Sequence, residues 1–127
     1  MRLTHPLTLL TLTTLVAACG VPRESASYAS QHANETIPAD DTSIRRQLQT
    51  EGDRWTHLAN LLLTTNELGG ITGVNPKFTS LVLQTAALAR RQQDLIAANE
   101  DTPEENRATL TRLHTLWQSA DAYLNPK

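Results

Sequence analysis

The chain has 127 residues, room for one small domain, with 13 acidic against 11 basic side chains and a formal net charge of −2. That balance supplies neither the basic footprint of a nucleic-acid binder nor the polybasic patch that anionic lipid attracts. A single cysteine, Cys19, excludes an internal disulfide framework and a multi-thiolate metal centre.

The N-terminus is the most informative stretch. Met1-Arg2 places a positive charge first, an apolar segment follows from Leu7 to Val16, and the small residues Ala17 and Ala18 stand directly before Cys19. This is the order of a secretory signal with its cleavage site. The apolar segment is about half the length a membrane-spanning helix needs, roughly 20 residues, and Thr8, Thr11, Thr13 and Thr14 dilute it further. An ordinary secretory signal could also end at Val16-Ala17-Ala18.

Leu15-Val16-Ala17-Ala18-Cys19 resembles the lipobox of bacterial lipoproteins, in which small residues precede an invariant cysteine. The resemblance implies that residues 1–18 are removed as a signal peptide. It also implies that Cys19 carries a diacylglyceryl thioether, with a further acyl group such as palmitate on its amine. One acyl chain holds a protein marginally, at about 0.8 kcal/mol per buried methylene, whereas two or three anchor it stably. Gly20 follows the cysteine where an Asp would imply retention at the inner membrane, so the resemblance places the protein at the periplasmic face of the outer membrane. Arg2 is the only charge lost with the signal, which moves the net from −2 to −3.

Residues 19–39 read as the lipidated cysteine and a flexible linker. Gly20 to Ala39 is rich in Ser, Ala, Asn, Gln and Pro, with no apolar period, and a coil of that length spans about 25 Å on average. Tyr28 and His32 read there as solvated side chains. The folded domain is expected over 40–127.

Three helices are expected in it. The first begins near Asp40, Asp41 or Thr42, good N-cap residues, and runs to about Glu67, where Gly69-Gly70 supplies a stop. Ile44, Leu48, Trp55, Leu58 and Leu62 form its apolar stripe, with Glu51 a polar break and Gly52 a local weakness of about 1 kcal/mol. The glycine-rich stretch 69–76 lacks the Gly-Lys-Ser/Thr ending of a phosphate loop and reads as a connection. The second helix opens with Asn75 as N-cap and Pro76 at its first position. Phe78, Leu81, Val82, Thr85, Leu88, Ala89, Leu95 and Ile96 follow at helical spacing, with Gln92 interrupting. The third opens with Thr102-Pro103-Glu104-Glu105, a capping-box pattern, and carries Leu110, Leu113, Trp117, Ala120 and Leu124, widened by Leu116 and Tyr123. Asn125-Pro126 ends it. The fold class is therefore all-α, a small antiparallel three-helix bundle after a disordered tether.

Arg54 to Leu62 also resembles, over little more than two turns, the Arg-rich, Leu-Asn-Leu helix of LemA-type envelope proteins; nothing about function follows from so short a stretch.

Chemistry-bearing groups are sparse. Asp53 and His57 share one helical face four residues apart, the spacing of two metal ligands or of a carboxylate orienting an imidazole, but no HExxH or second ligand cluster joins them. No serine sits in a nucleophile-elbow sequence. The expectation is a non-catalytic protein without a cofactor or metal. Leu68, Ile71 and Val74, apolar residues costly to leave in water, either fold back over the bundle end or form part of a partner surface, and the adjacent Arg90 and Arg91 read as a solvated face or as a site for an acidic partner.

The expected partners are the membrane, through the lipid on Cys19, and a protein of the cell envelope, with a second copy of the chain as an alternative and nucleic acid excluded. An accessory component of an envelope, secretion or conjugation system fits this description, as does an immunity or entry-exclusion lipoprotein. An enzyme using Asp53 and His57 would need convergent polar groups around them. A carrier of hydrophobic ligands would need a cavity of about 300 Å³ or more inside a small core.

Overall fold

The computed structural model describes residues 23–67 and 75–126. Four helices occupy them: α1 (Arg23–Ala33), α2 (Asp41–Glu67), α3 (Pro76–Ala97) and α4 (Pro103–Leu124). No strand occurs among the described residues, so the all-α class holds.

The helix count does not. Residues expected to form part of a disordered tether make the additional helix α1, which packs chiefly on α4 and also on α2. Its inward face is Ser25, Ala29, His32 and Ala33, all buried. These lie at i, i+4, i+7 and i+8, a helical period written in small and polar residues instead of large apolar ones. Short side chains let α1 approach closely, so it contributes contact without apolar bulk. Tyr28 and His32, expected in solvent, are respectively half-buried and buried.

The other helices start where their caps dictate. Asp40 accepts a 2.9 Å hydrogen bond from Ser43 N–H, which holds its carboxyl below the usual carboxylate range and opens α2. Asn75 Oδ1 accepts from Lys77 N–H at 2.7 Å ahead of Pro76, and Thr102 Oγ1 accepts from Glu105 N–H at 3.1 Å ahead of Pro103. At the end of α3, Asn99 adopts φ 58°, and Glu100 N–H and Asn99 N–H return to Leu95 O and Ile96 O. Asn tolerates this left-handed conformation better than most residues, and the two bonds satisfy carbonyls the helix leaves open.

The core unites Ile44, Leu48, Trp55, Leu58 and Leu62 of α2, Phe78, Val82, Ala86, Ala89 and Ile96 of α3, and Leu110, Leu113, Trp117, Ala120 and Leu124 of α4. The expected stripes are thus largely buried, except that Leu81 stays 41 % exposed and Leu88, Leu95, Leu116 and Tyr123 sit at the boundary. Gly52 has a packing role: a Cβ there would collide with Gln93 Oε1 and lie 3.1 Å from Arg90 Cγ. The glycine permits the close approach of α2 and α3 that its helix propensity alone does not explain.

Candidate functional site

The two polar breaks in the apolar stripes are inside the molecule. Gln92 donates through Nε2 to Asn106 Oδ1 at 2.7 Å, and Asn106 Nδ2 donates to Asp101 Oδ2 at 2.7 Å. Asp101 also takes Arg45 Nε at 3.0 Å, while Arg45 Nη2 reaches Ile96 O and Asn99 Oδ1. Arg45 and Asn106 together hold the Asp101 carboxyl below its ordinary range. This network ties the start of α2 to the α3–α4 junction.

Glu51 is the second break, and its side chain is 1 % exposed. It accepts a hydrogen bond from Trp117 Nε1 at 2.9 Å and another from Arg54 Nη1 at 3.3 Å. Burial pushes its carboxyl above the ordinary value of 4.5, against the pull of Trp117 and Arg54. Arg54 Nη1 also donates to Glu35 Oε1 at 2.6 Å, and His32 Nδ1 lies 3.3 Å from Glu35 Oε2. Burial and the Arg54 charge lower the His32 pKa despite Glu35. A wall of rings closes the cluster: Trp55 stacks on Trp117 with centroids 3.9 Å apart, His32 lies 4.8 Å from Trp117, and Tyr28 stands edge-on to His32 and His57. Burial raises the Tyr28 pKa above 10.0. The hydroxyl of Ser25 is buried without a hydrogen-bond partner, and the buried indole N–H of Trp55 makes no well-formed hydrogen bond but is near enough to Glu51 to join Trp117 and Arg54 in pulling its carboxyl down.

Above this cluster lies an open groove of about 670 Å³. One wall is a stripe of α2, with Ser43, Gln47, Thr50 and Arg54 at i, i+4, i+7 and i+11 and Arg46 beside them; the other is the connection carrying Asn34, Glu35, Thr36 and Pro38. The lining residues are polar in type except Pro38, and Arg54 belongs both to the groove and to the Glu51 cluster.

The residues expected to bear function fall elsewhere. Cys19, Leu68, Ile71 and Val74 lie outside the described residues. Arg90 and Arg91 are both exposed, but Arg90 turns back onto its own chain, 3.1 Å from Asp53 Oδ1 and 3.3 Å from Thr56 Oγ1. Asp53 and His57 are not joined: the first bonds Arg90 and the second packs on Tyr28. Among the described residues no group of three His, Cys, Asp or Glu is arranged to hold a metal ion, and no helix is long and apolar enough to cross a membrane. The Glu51 cluster was missed because Tyr28, His32 and Glu35 lay in a stretch read as solvated; the burial of Glu51 on the apolar stripe of α2 was the available signal.

No family model matches the chain, and neither a curated protein nor a solved structure does.

Proposed function

We propose that the chain is a lipoprotein of the cell envelope, anchored through Cys19 at the periplasmic face of the outer membrane, whose helical domain is a non-catalytic protein-interaction module serving a larger envelope, secretion or conjugation assembly. The observation that carries this reading is the run Leu15-Val16-Ala17-Ala18-Cys19 behind a short positive end and an apolar segment. We read the four helices as an antiparallel bundle. Arg45 near the start of α2 reaches Ile96 and Asp101, Gly52 and Thr56 adjoin Arg90, and Asn75 N–H at the start of α3 donates to the Tyr123 hydroxyl near the end of α4 at 2.6 Å.

The test compares wild type with Cys19→Ser in intact cells. Wild type is expected in the outer-membrane fraction, with a mature N-terminal mass that includes the lipid, and to crosslink an envelope protein. Cys19→Ser is expected to lose the lipid and the membrane association. A wild-type protein with an unmodified N-terminus, or one released by a salt wash, overturns the reading.

A further inference from the structure

We propose that the groove between α2 and residues 34–38 binds an extended, carboxylate-bearing peptide segment of a partner protein, with Arg46 as its charge anchor. The inference rests on the interaction-module reading and names the surface and the chemistry of what it takes.

Four observations carry it. The first is shape: eleven residues separate Ser43 from Arg54, so the α2 wall is about 16 Å long, the span of about five residues of extended chain. The second is backbone. Among the described residues no hydrogen bond reaches the N–H of Thr36 or Ile37, or the carbonyls of Glu35, Thr36 and Ile37, and this connection is not helical. A run of open donors and acceptors beside a groove is what an added strand pairs with. The third is side-chain chemistry: Asn34, Thr36, Ser43, Gln47 and Thr50 line the groove with amides and hydroxyls that bond peptide groups of either sense.

The fourth is charge. Each nearby carboxylate is already engaged: Glu35 by Arg54 and His32, Glu51 by Trp117 and Arg54, and Asp40 by Ser43 N–H. Arg54 is engaged in turn. Arg46 is exposed, lines the groove and makes no salt bridge among the described residues, its charge reaching Asp40 only at longer range. The residues that line the groove carry two arginines, Arg46 and Arg54, against one carboxylate, Glu35, an excess of positive charge that favours an anionic over a cationic segment.

The experiment is a two-dimensional NMR titration of the isotope-labelled Cys19→Ser chain with the peptide acetyl-Ser-Glu-Gly-Glu-Ser-amide, up to about 5 mM, where a weak short-peptide complex of millimolar Kd is populated. Expected are shifts of the Asn34, Thr36, Ile37, Ser43 and Gln47 amides. They should be absent with the Gln-for-Glu peptide, weakened about fivefold or more by Arg46→Gln, and unchanged by Arg112→Gln, an exposed arginine of α4. Inorganic phosphate moving the same amides as strongly would show a bare anion site and overturn the peptide assignment. Absence of shifts, or equal binding by Arg46→Gln, would overturn the proposal. So would an envelope partner whose crosslinking survives Arg46→Glu unchanged, and that outcome would leave the interaction-module reading intact.

Discussion

Glu51 offers the sharpest test of how the interior is built. Truncation in Glu51→Ala leaves the buried Trp117 N–H without its 2.9 Å acceptor, a loss of about 1–3 kcal/mol. It also removes four heavy atoms from a packed site; a residual cavity of about 60 Å³ costs about 1.5 kcal/mol at 24 cal/mol per Å³. Relief from keeping a carboxylate out of water offsets part of this, so the net loss is about 2–3 kcal/mol. In Glu51→Gln the volume is kept and the amide oxygen still accepts from Trp117. Arg54 is not orphaned, because Glu35 holds it at 2.6 Å. That variant is expected within about 1 kcal/mol of wild type at pH 7.

The pH dependence separates the two effects. The folded pKa of Glu51 is raised above the 4.5 of the unfolded chain, so the folded form binds its proton more tightly. Its contribution to stability is complete below pH 4.5 and is lost as pH rises through the folded value. Glu51→Gln is expected to abolish that loss, gaining on wild type from pH 4.5 upward. Urea unfolding of the Cys19→Ser chain, followed by tryptophan fluorescence, measures both, since the two tryptophans of the chain stack on each other beside this carboxylate. If Glu51→Gln costs as much as Glu51→Ala, or keeps the wild-type pH profile, the account of Glu51 as a desolvated acceptor fails.

Three further outcomes are expected. His32 has a lowered folded pKa, so its contribution is present above pH 6.5 and is lost as pH falls through the folded value, with Arg54, Glu35, His57 and Tyr28 around it. Protection factors of the α1 amides, taken relative to the intrinsic exchange rate at each pH, should therefore fall on acidification below pH 6.5, and His32→Gln should blunt the change. Gln92→Ala leaves Asn106 Oδ1 unpaired in the interior and should lower stability by about 1–3 kcal/mol in the same urea assay. Thr102→Ala removes the acceptor for Glu105 N–H and should cost about 1 kcal/mol, seen as a lower Tm.

The sequence made the apolar faces of three helices legible because Leu, Ile, Val and Trp mark a helical period without ambiguity. Asn75-Pro76 and Thr102-Pro103 were equally plain, since an N-cap followed by proline has one common structural meaning. The first helix was hidden by its own packing. Ser25, Ala29 and Ala33 are inward residues chosen for smallness, and small residues carry almost no hydropathy signal in a segment rich in Ser, Asn and Gln. Glu51 and Gln92 misled in the opposite direction. A polar residue on an apolar stripe reads as an interruption until its partner is known, and both partners, Trp117 and Asn106, are on α4, distant in sequence. The groove was not legible at all, because its second wall is the connection leaving the helix that was missed.

Finding α1 changes what an anchor at Cys19 would do. Four positions separate Cys19 from Arg23, so with the lipid in place the start of α1 lies within about 15 Å of the anchored residue, not at the end of a long coil. Asn125 Nδ2 bonds Ala26 O, and Tyr123 lies 2.6 Å from Asn75 N, so the end of α4 and the start of α3 share that end of the bundle. The start of α2, with Asp40, Ser43 and Arg46, is at the other end, where Arg107 of early α4 meets Asp41. A lipid on Cys19 would therefore hold one end of the bundle against the bilayer and leave the groove beside α2 toward the aqueous compartment. The Glu51 cluster spans the seam between these regions: through His32, Glu35 and Arg54 it fastens the helix nearest the anchor to the wall of the groove, so the geometry of the proposed binding surface depends on α1 remaining docked.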